Sequence, residues 1–193
     1  MRSPTPRVPP RQPAESRAET CSAETCRAGS EARFTVEPAS VVAGARRRAL
    51  RDGDRQIDTA HLLHSLLESD PEARAAFDGG PQVARVLGYL VQRSIGYGLR
   101  WQGSVEDSGA VPLPPEAVVS GWSPAAVAAM ECALERARQR GESRASGLDL
   151  LAALAADRAC RAVDVLTRAG VDAASLAARI GAPSQQVSQP LRS

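Results

Sequence analysis

The amino-acid sequence predicts an all-α protein in which two tandem four-helix repeats pack as one pseudo-twofold unit between disordered N- and C-terminal tails. Three observations support this prediction. A pattern recurs at an interval of 88 residues, the apolar residues follow helical spacing, and only 3% of the residues are aromatic. A core with so few rings must be built from Leu, Val and Ala, which favours closely packed helices over a β-sandwich. A tandem helical repeat also predicts that its two halves bury each other's apolar faces.

Each copy of the internal repeat opens with an aromatic residue and a hydroxyl residue. An Ala-rich amphipathic run follows and ends at a glycine, and a second apolar segment begins after the same short gap. The interval of 88 positions holds without interruption across this whole stretch. The paired positions are Phe34 and Trp122, Thr35 and Ser123, Gly53 and Gly141, Ile57 and Ala145, and Leu66 and Leu154.

Capping signals set the helices of the first half. A first helix is predicted from about residue 36 to residue 52, with Thr35 as its N-cap and a glycine directly after it. Thr59 is predicted to cap a second, short helix. A further turn is predicted over 74–77 and a longer helix over 82–93. Three arginines of the first helix, Arg46 to Arg48, are interpreted as a solvated face.

The second half repeats this plan. Ser123 is predicted as N-cap, and Pro124 occupies the first helical position, where its missing N–H costs nothing. Gly141 ends that helix, Gly170 is expected at a C′ position, and Asp172 is expected to cap the last helix. The remaining helices are predicted over 148–155, 160–168 and 172–180.

Composition places this double repeat between two polar tails. Residues 1–32 form a Pro/Arg-rich arm that cannot bury enough apolar area to offset the entropy of ordering, so it is predicted to be disordered. The linker between the two repeats, predicted over 96–121, contains Trp101, whose indole is expected to fix the loop or to contact a partner. The predicted ranges are 33–181 for the double repeat, with repeat 1 over 34–95, the linker over 96–121 and repeat 2 over 122–181, and 182–193 for the C-terminal tail.

Several classes of protein are disfavoured by composition. The net charge of +2, with both signs interspersed, gives no electrostatic support for nucleic-acid binding. No apolar run is long enough to predict a membrane span or a secretory signal, and the four cysteines lack zinc-site spacing, so a cytoplasmic location is expected. No Ser, His and flanking-motif combination supports nucleophilic catalysis, so we predict neither enzyme activity nor a cofactor. His61 and His64 could share a helix face, but no third ligand was identified beside them, and no metal is predicted.

A family resemblance is carried by one segment of the first copy and by the start of the second copy. These segments are Ile57-Asp58-Thr59-Ala60-His61-Leu62-Leu63 and Trp122-Ser123-Pro124. With both copies in order, they resemble the Clp N-terminal repeat, the double-repeat N-domain of ClpA- and ClpC-type unfoldases. The resemblance covers about residues 34–180. It implies a platform that docks adaptors and substrates. No G-x-x-x-x-G-K-[ST] motif is present, because the chain has no lysine, so ATP hydrolysis is not expected.

In the ClpC branch, the resemblance also implies two equivalent pockets for phosphorylated arginine. Each combines a helix-capping hydroxyl with the Glu of a Gly-Thr-Glu-His motif. The hydroxyls are retained as Thr35 and Ser123, whereas the carboxylate positions hold Ala60 and Leu148. Losing a charge-assisted hydrogen bond costs roughly 1.5–3 kcal/mol. Binding of phosphoarginine is therefore predicted to be weak or absent.

Together these features predict a non-catalytic protein-binding module, an accessory or regulator of a Clp unfoldase–protease system. It would dock adaptors, substrates or peptide-like ligands. Two alternatives stay open: a decoy that sequesters peptide-like toxins aimed at a Clp N-domain, and a helical DNA-binding regulator with an Arg-rich first helix. The paired aromatics either fasten the helix starts to the core or flank a ligand groove. The predicted partner-binding residues are Phe34, Thr35, Ala60, Trp122, Ser123 and Leu148.

Overall fold

Eight α-helices contain most of the residues that the structure, a computed structural model, describes: 36–94, 106 and 121–181. Within this part of the chain there is no strand, and the all-α prediction is confirmed. Phe34, Thr35, Trp101 and both tails lie outside the described residues, and the domain limits stay a prediction. The helices are α1 (Val36–Asp52), α2 (Thr59–Ser69), α3 (Pro71–Ala75), α4 (Gly80–Ser94), α5 (Pro124–Gln139), α6 (Gly147–Ala156), α7 (Arg161–Arg168) and α8 (Ala173–Gly181).

Helix α1 has the bounds predicted from the sequence. It is followed directly by Gly53, whose φ of +71° lies in the left-handed region that favours glycine. Gly141 has a φ of +79° at the matching point after α5, so the repeated glycines have the same structural role. The buried stripe of α1 consists of Val41, Val42, Ala45 and Ala49.

Helix α2 forms the centre of the first half, because nine of its eleven residues are buried. Its N-cap is Asp58, and the prediction of Thr59 is wrong by one residue. Oδ1 of Asp58 accepts the backbone N–H of His61 at 3.0 Å, and the Asp58 N–H donates to Nδ1 of His61 at 3.1 Å. This reciprocal capping box leaves the hydroxyl of Thr59 available for contacts with other helices.

The second half begins as predicted. Ser123 caps α5 by accepting the N–H of Ala126 at 3.1 Å, and Pro124 is the first residue of the helix. Helix α6 is the buried counterpart of α2 and starts with a capping box between Ser146 and Asp149. At the start of α8, Asp172 accepts a backbone N–H from its first turn, as its predicted role as a cap requires.

The two halves interlock where the second one begins. The Ile57 N–H donates to the carbonyl of Gly121 at 2.7 Å, and the Ser123 N–H donates to the carbonyl of Ile57 at 2.9 Å. Helix α2 also packs against α5, α6 and α7 of the second half, while α4 packs against α7. The start of the second half is therefore built into the first half, as expected for repeats that bury each other's faces.

The arginines of α1 do not form a uniformly solvated face, so this part of the sequence interpretation is wrong. The guanidinium carbon of Arg46 lies 5.5 Å from the centroid of the Trp122 ring, within the range of a cation–π contact. Arg48 pairs with Glu68 and lies 3.3 Å from Nδ1 of His64. Arg47 alone of the three is exposed. Arg46 therefore packs over an apolar ring, whereas Arg48 is held by polar side chains of α2.

Replacing Gly147 by Ala should destabilise the protein, because the first turn of α6 leaves no room for a side chain. A Cβ there would lie 1.7 Å from Oδ2 of Asp70 and 3.2 Å from Cδ1 of Leu66. Asp70 cannot simply turn away, because its Oδ1 caps α3. We expect Gly147→Ala to lower the free energy of unfolding by about 1–3 kcal/mol, measured by urea denaturation.

The matched control is Gly88→Ala in the middle of α4. That Cβ would meet no atom within 4 Å, and the backbone there is helical. We expect the stability to rise by up to about 1 kcal/mol, because Ala favours the helix over Gly. Equal effects of the two substitutions would contradict the described contact between α6 and Asp70.

Acid should weaken the fold through His64. Burial, followed by the neighbouring charge of Arg48, lowers the pKa of His64 to about 4, despite the opposing effect of Glu68. The pKa of His64 in the unfolded chain is about 6.5. At pH values between 6.5 and 4, His64 is therefore protonated in the unfolded chain but not in the folded protein. The contribution of His64 is thus complete above pH 6.5, is lost as the pH falls towards 4, and is constant below that.

We expect the free energy of unfolding to fall by up to about 3 kcal/mol from pH 7 to pH 4 through this group. The measurement is urea denaturation at a series of pH values for the wild type and His64→Gln. The difference between the two proteins isolates His64 from the carboxyl groups. Parallel pH profiles would refute the effect.

Candidate functional site

A cluster of buried polar residues lies where α2, α5 and α7 begin, between the two halves. It comprises Asp58, Thr59, Glu106, Ser123 and Arg161, and is called the junction cluster below. The first four are at most 4% exposed. Burying polar groups so completely is unfavourable unless each finds a partner, so their contacts decide what the cluster can do.

The carboxylate of Glu106 lies at the centre of the junction cluster. Its Oε2 accepts the backbone N–H of Thr59 at 2.9 Å and the hydroxyl of Ser123 at 2.7 Å. Its Oε1 accepts the backbone N–H of Arg161 at 2.7 Å and the hydroxyl of Thr59. Each oxygen therefore receives two hydrogen bonds, and the donors come from the first residues of α2 and α7 and from the N-cap of α5.

Both hydroxyls also accept hydrogen bonds from helix N-termini. Oγ of Ser123 accepts the N–H of Ala126 in α5, and Oγ1 of Thr59 accepts the N–H of Ala162 in α7 at 3.0 Å. These hydroxyls thus connect Glu106 to the first turns of α5 and α7. The backbone N–H of Thr59 connects Glu106 to the first turn of α2. Helix N-termini carry partial positive charge, so a buried carboxylate is favoured where three of them meet.

Asp58 is the second buried carboxylate of the cluster, and it pairs with arginines from both halves. Nη1 of Arg161 lies 2.6 Å from its Oδ2, and the guanidinium of Arg93 contacts the same oxygen. Burial alone would raise the pKa of Asp58. The contact with His61 and the charges of Arg93 and Arg161 outweigh burial and hold it well below its usual range. Asp58 is therefore ionised at neutral pH.

Ligand atoms of Asp54, Asp58 and His61 lie within 4.8 Å of one another, which is close enough to suggest a metal site. The sequence interpretation overlooked these two aspartates as neighbours of His61. Nε2 of His61 lies 3.1 Å from Asp54 without the alignment of a hydrogen bond. The guanidinium of Arg93 lies 3.0 Å from the same Asp54 oxygen and also contacts Asp58. Because cationic side chains already contact both carboxylates, the group suits ion pairing better than metal binding.

The structure brings only some of the predicted binding residues together. Ser123 is fully buried and joins Thr59, the neighbour of Ala60, through the Glu106 carboxylate. Ala60 is fully buried, Trp122 is 5% exposed, and Leu148 in the first turn of α6 is half-buried. The indole of Trp122 is thus part of the core. Ligand binding by these residues stays a prediction, as it does for Phe34 and Thr35.

A surface depression of about 580 Å³ was not anticipated from the sequence. It lies between the end of α6, α7 and the start of α8, and it is called the second-half depression below. Six of its nine lining residues are Ala or Val, but polar groups make up as much of its exposed surface as apolar groups do. The lining residues are Ala155, Ala156, Arg158, Val163, Thr167, Val171, Asp172, Ala173 and Ala174.

Sequence reasoning also missed the partners that complete the junction cluster. Glu106 stands in a Gly/Pro-rich stretch with no periodicity, and its contacts lie 17 to 55 positions away in the chain. No local signal identifies such a residue. The capping role of Asp58 could have been predicted, because an Asp directly before an apolar helical run is a strong N-cap signal.

Comparison with solved structures identifies the fold. The N-terminal domain of the caseinolytic protease associated chaperone ClpD from Arabidopsis thaliana matches with a TM-score of 0.50 and 18% identity, covering 77% of this chain and 92% of that one. The chain has the Clp N-terminal domain fold. A structure from an investigation of a malarial protein secretion system matches with a TM-score of 0.54 and 13% identity, over the same shares of the two chains.

The Clp N-terminal domain fold agrees with the sequence resemblance and with the all-α repeat seen here. No protein-family model matches the sequence, and no curated protein matches it significantly. Among the described residues, no helix is both long and apolar enough to cross a bilayer.

Neutralising Asp58 should strongly destabilise this fold. Asp58→Asn keeps a side chain that can cap α2 but removes the charge that Arg93 and Arg161 face. Removing one partner of a buried ion pair costs about 3–5 kcal/mol, because the other charge is left without compensation. We expect a loss of this size in the free energy of unfolding, measured by urea denaturation at pH 7.

Asp164→Asn is the control, because Asp164 pairs with Arg168 on the exposed side of α7. Such a pair contributes at most about 1 kcal/mol. A similar small effect for Asp58→Asn would show that the arginines do not depend on its charge.

Proposed function

We propose that the protein is a non-catalytic protein-binding module, an accessory or regulator of a Clp unfoldase–protease system. It docks adaptors, substrates or peptide-like ligands. The observation that carries this proposal is the Clp N-terminal domain fold, found together with both copies of the repeat motif. The protein whose domain matches is described as a protease-associated chaperone, which supports partners from protein quality control.

The chemistry of the junction cluster supports a binding role rather than catalysis. Glu106 accepts four hydrogen bonds, and Asp58 contacts two guanidinium groups. Side chains held in this way position helices, whereas a general acid or base must exchange its proton with a substrate. Cys160 is equally unsuited to nucleophilic attack, because burial raises its pKa to about 11.

The second-half depression supplies a surface for a peptide-like partner. A volume of about 580 Å³ lies in the range of ligand sites. Arg158 and Asp172 place opposite charges on its lining. An extended segment could bury apolar side chains there while its polar groups reach these two residues.

Binding of phosphoarginine at Ser123 is not supported. The Ser123 hydroxyl already donates to Glu106, and Ser123 is 0% exposed, so a phosphate from solvent does not reach it. A phosphate would meet the Glu106 carboxylate, and like charges repel strongly where water is excluded. This adds to the loss of the motif glutamates at Ala60 and Leu148.

The test is an affinity capture with two matched variants of the full chain. Ala174 and Ala178 are both exposed on α8, but only Ala174 lines the depression. The wild type and Ala178→Arg should capture a Clp unfoldase, adaptor or client from a cell extract, identified by mass spectrometry. We expect Ala174→Arg to lose most of this capture, because a large charged side chain fills the depression.

Each result separates one part of the proposal from another. If the wild type captures no Clp component, adaptor or client, the proposed function is overturned. Equal capture by wild type and Ala174→Arg would keep the function but exclude the second-half depression as its surface. Unequal circular dichroism spectra of the two variants would show that Ala174→Arg acts on folding instead.

A further inference from the structure

The outward faces of α1 and α5 lie at matching positions of the repeat. On each helix this face is opposite the buried side, and residues three or four positions apart share it. The residues considered below are all exposed. They are Arg47, Leu50 and Arg51, called the α1 face, and Glu131, Cys132 and Glu135, called the α5 face.

The two faces carry opposite charges. The interval of 88 positions that relates the halves places Glu135 of α5 where α1 has Arg47. The second charge of each face, Arg51 or Glu131, stands four residues away along its helix. This spacing is about 6 Å on both helices, so one helix laid across the other brings both pairs of opposite charges together. Two α1 faces, or two α5 faces, would repel each other.

The ion pairs that these side chains form within the chain are weak. Arg51 pairs only with its neighbour in the sequence, and Glu135 pairs with Arg138 one turn away. The side chains of Arg51 and Glu135 are 62% and 54% exposed, and pairs this exposed exchange readily with other partners. Within the described ranges, neither Arg47 nor Glu131 forms an ion pair. These charges can therefore pair with those of another molecule.

Leu50 adds an apolar group to the α1 face. Its side chain is 84% exposed, and the only other exposed large apolar side chain among the described residues is Val91, at 50% on α4. Beside the two glutamates of the α5 face lies the free thiol of Cys132, which behaves as a small apolar group. Both faces thus combine an apolar group with charges beside it, as interfaces with a polar rim do.

We propose that the α1 face of one copy of this chain docks on the α5 face of a second copy. The second copy fits as the partner because each molecule carries both faces, and their charges are complementary. The contact also covers Leu50, which is otherwise left in water. It is independent of the Clp-related partners proposed above and shares no residue with the second-half depression.

This contact should be weak and sensitive to salt. Two crossing helix faces bury less than the roughly 1,200 Å² that marks a stable interface. Added salt screens the charges that align the faces. Because unlike faces meet, the contact is head-to-tail, and each copy can use both of its faces. The protein should therefore associate reversibly at high concentration and return to monomers in high salt.

Sedimentation equilibrium of the full chain, with a reductant present to prevent disulfides, tests the contact. The wild type is compared with Arg47→Glu/Arg51→Glu and with Glu131→Arg/Glu135→Arg at about 50 mM salt. We expect the average mass of the wild type to rise above 20.3 kDa as its concentration increases. The dissociation constant of each variant alone should be at least about tenfold higher, because like charges then meet.

Mixing the two charge-reversed variants gives the sharpest result. The glutamates introduced on α1 of one variant face the arginines introduced on α5 of the other, and the native charges of the two remaining faces are also complementary. Attraction is therefore restored only between unlike molecules. We expect the equimolar mixture to associate about as strongly as the wild type, although neither variant does so alone.

Two further variants serve as controls. Arg85→Glu/Arg144→Glu makes the same change in net charge at exposed positions outside both faces, and it should associate as the wild type does. Leu50→Ser alters no charge and removes an exposed side chain, so it should fold normally. We expect it to raise the dissociation constant severalfold, because less apolar surface is buried on association. Circular dichroism verifies that all variants keep their helices.

Four outcomes would overturn the proposal. The wild type stays monomeric at about 1 mM, the weakest affinity that the contact could have. The mixture associates no more than its separate components. The control Arg85→Glu/Arg144→Glu loses as much association as the α1 variant, which would assign the effect to net charge alone. If a charge-reversed variant fails to fold, Leu50→Ser decides, and unchanged association of that variant would exclude the α1 face.

Discussion

The packing of this fold depends on negative charge buried where helices from both halves begin. Helices α2 and α7 direct backbone N–H groups towards one carboxylate, and the N-cap of α5 directs its hydroxyl there; without the carboxylate these donors would lack acceptors in a dry interior. Glu106 satisfies the donors, while Asp58, the N-cap directly before α2, holds an arginine from each half. Apolar packing brings the halves together, and this polar centre specifies how their helix ends meet.

The pseudo-symmetry of the sequence is not reproduced in the electrostatics. In the first half, the carboxylate of the capping box is Asp58, and it pairs with side chains that are about 10% exposed. In the second half, the carboxylate is Asp149, and its main partner Arg140 is 42% exposed. Water screens the second pair far more than the first. The two helix starts occupy matching positions of the repeat, yet only the carboxylate of the first pairs with an arginine of the other half.

Much of the fold could be predicted because its helices are marked locally. The glycine after α1, and Ser123 with Pro124 at the start of α5, act on their own turns and need no tertiary context. The halves' mutual burial also followed from the repeat. In contrast, Arg46 was interpreted as solvated, because its packing over Trp122 joins positions 76 residues apart.

The candidate site was harder to predict for the same reason. The family resemblance drew attention to Ser123 as a ligand-binding residue, but it gave no indication that the side chain of Glu106 would be bound there. A carboxylate in a segment without periodicity has no preferred partner until the helix N-termini around it are assembled. Buried polar networks of this kind are fixed by three-dimensional proximity, and single-sequence patterns carry almost no information about it.

The pairing of Ile57 with residues 121–123 has a consequence for synthesis of the chain on the ribosome. The first half emerges from the exit tunnel long before Ser123 does, and until then the backbone of Ile57 and the start of α2 lack their partners. Helices of the first half can form early, but their lasting arrangement must await the start of the second. The nascent chain therefore exposes apolar surface for longer than two independent bundles would, and that interval is when a chaperone would be of most use to it.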